Sequence, residues 1–168
     1  MKPQKILIAG IGNELKQDDA FGMEFVKAFA KNVKLPERIK VLEVGIGGIH
    51  LVQELHYKYD VLIMADAVEW GEVAGHLYFR EMESVADIDQ MEVFDKRAFL
   101  ADMHYTNPIR ALMLAKALDV LPKKVYILGC EAYEHDDFAV GMSRVVTDAI
   151  PKAIEKLQKW LELEPIES

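Results

Sequence analysis

The sequence predicts an α/β fold: a mainly parallel β-sheet covered by helices on both faces, with one antiparallel edge strand. Three observations carry this. Four short segments are apolar almost throughout, as strands buried on both faces are. Amphipathic stretches of helical period lie between them. The apolar segments stop abruptly at Gly or Asp, where a sheet delivers its turns.

The elements follow in order. Lys5 to Ala9 is an apolar run ending at Gly10-Ile11-Gly12. Residues 19–31 place Phe21, Phe25, Val26 and Phe29 on one helical face. Arg38 to Val44 alternates at first and ends at Gly45. Residues 48–57 group Ile49, Val52, Leu55 and His56. Asp60 to Ala65 is apolar and stops at Asp66. His76 to Glu81 alternates and follows Gly71 and Gly75, which reads as a hairpin-like return and so as the antiparallel edge. Asn107-Pro108 opens a helix over 107–119, as N-cap and first-turn proline, with Ile109, Leu112, Met113, Lys116 and Ala117 at helical spacing. Lys124 to Leu128 is the last apolar run and stops at Gly129-Cys130. Ser143 opens a final helical pattern over 143–162, carrying Val146, Ile150, Ile154, Leu157 and Leu161. Pro151 falls inside it and is expected to kink or break it. Strands are thus expected near 5–9, 39–44, 60–65, 76–81 and 124–129.

Composition narrows the function. At 168 residues, with no repeat and no Pro/Gly/Ser linker, the chain is read as one domain over 1–168. A content of 51% hydrophobic and 29% charged residues is that of a globular protein rather than a disordered or collagen-like one. A net charge of −8 repels phosphate backbones and argues against a general nucleic-acid binder. The lone cysteine, Cys130, excludes an intramolecular disulfide and a cysteine-built zinc cage. No apolar run approaches the roughly 18–20 residues of a spanning helix. Lys2 and Lys5 before Ile6-Leu7-Ile8-Ala9 imitate a signal peptide, but the run ends at Asn13-Glu14 without a small-residue cleavage site. A buried strand and a cytoplasmic protein are expected.

In open parallel sheets ligands meet the C-terminal strand ends. The polar residues collect there. Asp66 follows five apolar residues, so its carboxylate sits at the rim of the sheet and needs a partner; it serves either as a cap for the next turn or as a functional group. Asp18 and Asp19 precede an apolar-faced helix, where N-capping and the helix dipole would account for at least one of them. His104 lies in a loop just before the helix that Asn107-Pro108 opens. Asp19, Asp66 and His104 come from three connections that this topology brings to one rim. Two carboxylates and an imidazole can bind a borderline divalent metal and leave positions open for water or substrate. Other features carry less. Gly10-x-Gly12, with Glu43 after the second strand, suggests a dinucleotide site, but position 15 is Leu, and Asp18 and Asp19 would repel a pyrophosphate. Cys130 lacks any nucleophile signature and reads as a half-buried thiol. His135-Asp136-Asp137 reads as a solvated loop near the rim, and His50, His56 and His76 receive no role.

Gly10-Ile-Gly12-Asn13-x-Leu15-x-x-Asp18-Asp19-x-x-Gly22 resembles the opening motif of the [NiFe]-hydrogenase maturation endopeptidases. The similarity continues through Gly45-Ile-Gly47-Gly48, Ile63-Met-Ala65-Asp66-Ala67, His104 and the strand before Gly129, in order along nearly the whole chain. The resemblance implies a three-layer α/β/α sandwich around a twisted five-stranded sheet. It implies an endopeptidase that removes the C-terminal extension of the hydrogenase large-subunit precursor after nickel insertion. It also implies a nickel-recognising site that falls on Asp19, Asp66 and His104, serving both as metal ligands and as catalytic groups. The nickel would be carried by the substrate, no organic cofactor would be held, and the free protein would be a monomer. Three positions depart from the pattern: Ala20 where the family often has Gly, and Glu43 and Ile46 in place of an Asp and a Thr. These touch the substrate preference of the second turn. Two other functions compete: a nucleotide-binding enzyme built on Gly10-x-Gly12, and a noncatalytic chaperone of the precursor.

Overall fold

The computed structural model describes residues 3–13, 17–45, 48–87, 108–133, 141–164 and 166. Five strands form one sheet: β1 (Ile6–Ile11), β2 (Ile39–Gly45), β3 (Val61–Val68), β4 (Leu77–Glu81) and β5 (Lys124–Glu131). Their spatial order is β2-β1-β3-β5-β4. The β1–β2, β1–β3 and β3–β5 pairs are parallel, and β4 runs antiparallel to β5. A short 3-10 turn (Gln17–Ala20) leads into α1 (Phe21–Asn32); α2 (Gly48–Leu55), α3 (Pro108–Ala117) and α4 (Arg144–Leu161) complete the described helices.

The period of two in a strand splits the apolar runs between two cores. Ile6, Ile8, Val61, Ile63 and Leu128 face α1 and α4, packing on Phe21, Phe25, Phe29, Val146, Ala153 and Leu157. Leu7, Ala9, Leu62, Met64 and Val125 face α2 and α3, packing on Leu51, Leu55, Ala111 and Leu112. Helices therefore cover both faces. At the β4 edge, Trp160 of α4 closes the first core by packing edge-on against Phe79 and Tyr126, at 5.0 and 4.9 Å between ring centroids.

All five strands fall where the apolar runs place them, and β4 is antiparallel as expected. Its neighbour is a different matter. The return after Gly71 and Gly75 does not lay β4 beside β3, because β5 inserts between them. β3 and β5 also extend past the residues where their apolar runs stop. Their ladder continues through Asp66↔Gly129 to Val68↔Glu131, since backbone pairing rather than side-chain polarity ends a strand.

The helices carry three corrections. In α2 the buried residues are Gly48, Leu51, Val52 and Leu55; Ile49 and His56 are exposed. In α3 the buried set is Ala111, Leu112, Met113 and Ala115, leaving Ile109, Lys116 and Ala117 outside it. Pro151 does not break α4, which runs unbroken for 18 residues. Proline removes the donor for the carbonyl four residues back. Here that carbonyl belongs to Thr147, and both residues are exposed, so water can take the donor's place. Ser143 caps α4 as expected, its hydroxyl accepting from the Val146 N–H at 3.4 Å.

Candidate active site

Four parallel strands bring their C-terminal ends to one rim, and β1 and β3 lie side by side at its centre. β1 delivers Gly12, Asn13 and, past residues 14–16, the 3-10 turn bearing Asp18 and Asp19. The glycines of the opening motif explain how this turn lies so close to the sheet. Gly12 has φ +122°, and a Cβ there would collide with the carbonyl oxygen of Asp19. A Cβ on Gly22 would strike the carbonyl oxygens of Ile11 and Ala65 at once. The first turn of α1 is thus wedged against the ends of β1 and β3. The Gly10-x-Gly12 turn is built for this packing, which accounts for its glycines without a dinucleotide.

Consecutive residues of a 3-10 helix diverge by about 120°. Asp18 and Asp19 accordingly face different ways. Asp19 is exposed, and its carboxylate accepts the Asn13 N–H at 3.0 Å. Asp18 is 3% exposed and turns inward, towards the chain just past the end of β5 and the start of α4. Neither caps α1: its N-cap is Ala20, with no side-chain cap bond.

Asp66 lies in β3, half-buried at the rim. Burial pushes its carboxyl up, and the nearby Asp19 carboxylate pushes it further, against a lowering backbone hydrogen bond from Ala67; the result is about 7. The two carboxylates are therefore neighbours that resist ionising together, an arrangement that a divalent cation relieves. Oxygen donors from two carboxylates are compatible with a borderline cation such as nickel, particularly alongside an imidazole. His104, the third expected member, lies outside the described residues, as do Asn107, the expected cap of α3, and the His135-Asp136-Asp137 loop. Asp66 also forms one wall of a pocket of about 170 Å³ whose other walls include Met64, Val68, Trp70, Ile109 and Ile127. Trp70 and Ile109 are 43% and 41% exposed.

Two residues beside the rim differ from their sequence reading. Cys130 is fully buried rather than half-buried. Burial, then Asp18 and Glu131, raise its thiol to about 12, so it is no thiolate nucleophile at neutral pH. Glu131, given no role above, is 5% exposed and organises the β3–β4 turn. It accepts the Trp70 and Gly71 N–H groups and, at 2.8 Å, the Tyr78 hydroxyl. Burial alone would raise its carboxyl, but these donors outweigh it and hold the group below its ordinary value. A charged residue closing an apolar strand was its one visible signal.

Fold and rim together define an α/β protein with a pair of carboxylates at the centre of its parallel strand ends. Comparison with known proteins gives the class a family. Residues 23–160 match the model of the HycI hydrogenase maturation protease family, a span that contains Asp66 and His104 and begins after Asp19. The hydrogenase expression/formation protein HupD of Rhizobium leguminosarum bv. viciae is 30% identical over 160 residues, covering 93% of this chain and 75% of that protein. A putative hydrogenase maturation protease of Methanocaldococcus jannaschii is 30% identical, covering 92% of this chain and 95% of its own. Among solved structures, the hydrogenase maturating endopeptidase HybD from E. coli superposes with a TM-score of 0.72 at 25% identity, covering 96% of each chain. The chain belongs to the hydrogenase maturation protease family.

Proposed function

We propose that this protein is a single-domain, cytoplasmic endopeptidase that trims the C-terminal extension of a [NiFe]-hydrogenase large-subunit precursor, and that it recognises nickel already inserted in that precursor. Asp19, Asp66 and His104 form the recognising site and take part in the cleavage. The observation that carries this reading is the Asp19–Asp66 pair, two mutually repelling carboxylates held at the centre of the sheet's rim. Such a pair favours a cationic centre over a neutral one.

The reaction is hydrolysis of one peptide bond: water adds to the carbonyl carbon, the C–N bond breaks, and the new amine leaves with a proton. The substrate's nickel would supply Lewis acidity at this point. The protein's own residues supply an anionic docking face. The apolar pocket beside Asp66 has room for one side chain of the polypeptide. Water excluded from its walls would strengthen the electrostatics of the adjoining carboxylate. The test is to incubate the protein with nickel-loaded large-subunit precursor and follow its mass. Release of a C-terminal peptide is expected. A precursor that is bound but remains intact would favour the chaperone reading.

A further inference from the structure

The geometry assigns Asp18 a positioning role: its carboxylate ties the turn that presents Asp19 to the end of β5 and the start of α4. It is one of two charged residues found buried among the described residues. One oxygen accepts the Ser143 N–H at 2.6 Å. The other accepts the Tyr133 N–H at 2.8 Å and the Ser143 hydroxyl at 2.9 Å. These partners lie 115 and 125 residues along the chain. A carboxylate accepting two backbone N–H groups and a hydroxyl is held far more firmly than one facing water.

The partners are themselves anchored. Ser143 is the N-cap of α4, and its hydroxyl accepts from Val146. Tyr133 follows Glu131 by two residues, and Glu131 is fixed by the β3–β4 turn. Asp18 thus joins the 3-10 turn to two rigid elements on the far side of the sheet centre. Because successive side chains in that turn diverge by about 120°, fixing Asp18 inward fixes Asp19 outward, towards Asn13 and Asp66. The aspartate pair divides its labour: one residue meets the substrate and the other holds it in place.

This role deepens the reading of Asp19 as a site residue and rests on it. Asn13 supplies a reporter independent of activity, because its N–H is donated to the Asp19 carboxylate. Asp18→Asn keeps the size of the side chain but turns one acceptor into a donor that faces other donors. Ser143→Ala removes the hydroxyl's bond to Asp18, together with the cap it gives the Val146 N–H, and leaves both backbone donors to Asp18 in place. In Asp18→Asn, amide exchange at Asn13 is expected to accelerate on the order of tenfold as its bond to Asp19 is lost. The kcat of precursor cleavage should fall on the order of tenfold to a hundredfold, with KM nearly unchanged. Ser143→Ala should shift both in the same direction and by less. Faster exchange at Tyr133 and Ser143, with Asn13 and kcat as in the wild type, would make Asp18 merely structural and overturn the proposal. Should Asp18→Asn fail to fold, Ser143→Ala decides alone, and an unmoved Asn13 amide there overturns it. A wild-type protein that cleaves no precursor would instead defeat the functional reading, and the Asn13 amide would still report whether Asp18 positions Asp19.

Discussion

At the residue scale, the carboxylates at the rim have surroundings that differ sharply. Asp18 is surrounded by donors; Asp66 is half-buried and faces another carboxylate. Raising a carboxyl to about 7 means that the folded protein binds a proton there more tightly than the unfolded chain does. The folded state is therefore favoured by this group below the ordinary Asp value, and the advantage is lost as pH rises through about 7. Asp66→Asn, which cannot ionise, should leave stability unchanged near pH 4 in metal-free protein. By pH 8 it should raise stability by about 1–3 kcal/mol, less than the full shift implies because the side chain is partly screened by solvent. Urea unfolding of both proteins at pH 4, 6 and 8 checks this, and a gap that does not widen with pH would contradict it. His104 should behave in the opposite sense. His104→Ala should lower precursor cleavage by about a hundredfold or more if it contacts the substrate's metal. It should change stability by less than about 0.5 kcal/mol, as the loop position expected from the sequence implies. Mass-resolved cleavage and a thermal melt on the same sample separate the two effects.

At the element scale, the strands were legible because burial on both faces writes itself as unbroken apolar runs, as in Ile6-Leu7-Ile8-Ala9. Their ends and neighbours were not. Asp66 looks like a terminus, yet β3 continues to Val68 because β5 pairs with it that far. Nothing near Gly71 or Gly75 announces that a strand beginning at Lys124 will separate β4 from β3. α2 is only eight residues long, too short for periodicity to decide between Ile49 and Leu51. The candidate site was legible in part for a related reason. Asp66 and Asp19 are marked by position at strand and helix ends, whereas the partners of Asp18 are remote in sequence, and local spacing cannot reveal them. Pro151 gives this scale its own test. It lies within a continuous helix and costs that helix a backbone bond at an exposed position. Pro151→Ala should restore the bond to the Thr147 carbonyl and stabilise the protein by about 1–3 kcal/mol. Cleavage should be unaffected, because the substitution lies eight residues beyond Ser143. A destabilised variant would show that α4 needs the geometry proline imposes.

At the scale of the whole molecule, the sheet collects its acidic site at one rim while the two cores behind it fix the strands that carry it. The net charge of −8 works in the same direction, since it lowers the cost of bringing a cation to the surface and raises that of an anion. On the proposed reading the protein would offer three ligands, none a thiolate, which leaves a coordination shell incomplete, so the free protein should hold divalent metal weakly. Nickel already bound by a precursor brings its own ligands, and the rim then needs only to add to them. The metal would then be the signal that loading is finished: a precursor without nickel would lack the charge proposed to draw its tail against Asp19 and Asp66. Cleavage of nickel-loaded and nickel-free large subunit by one enzyme sample should therefore differ, with the loaded form cut and the empty form left whole. Asp66→Asn should erode this discrimination along with the rate, because it removes one of the two charges proposed to read the metal. Equal cleavage of both substrates would defeat the checkpoint while leaving the protease intact, and would move the source of selectivity from the metal to the polypeptide around it.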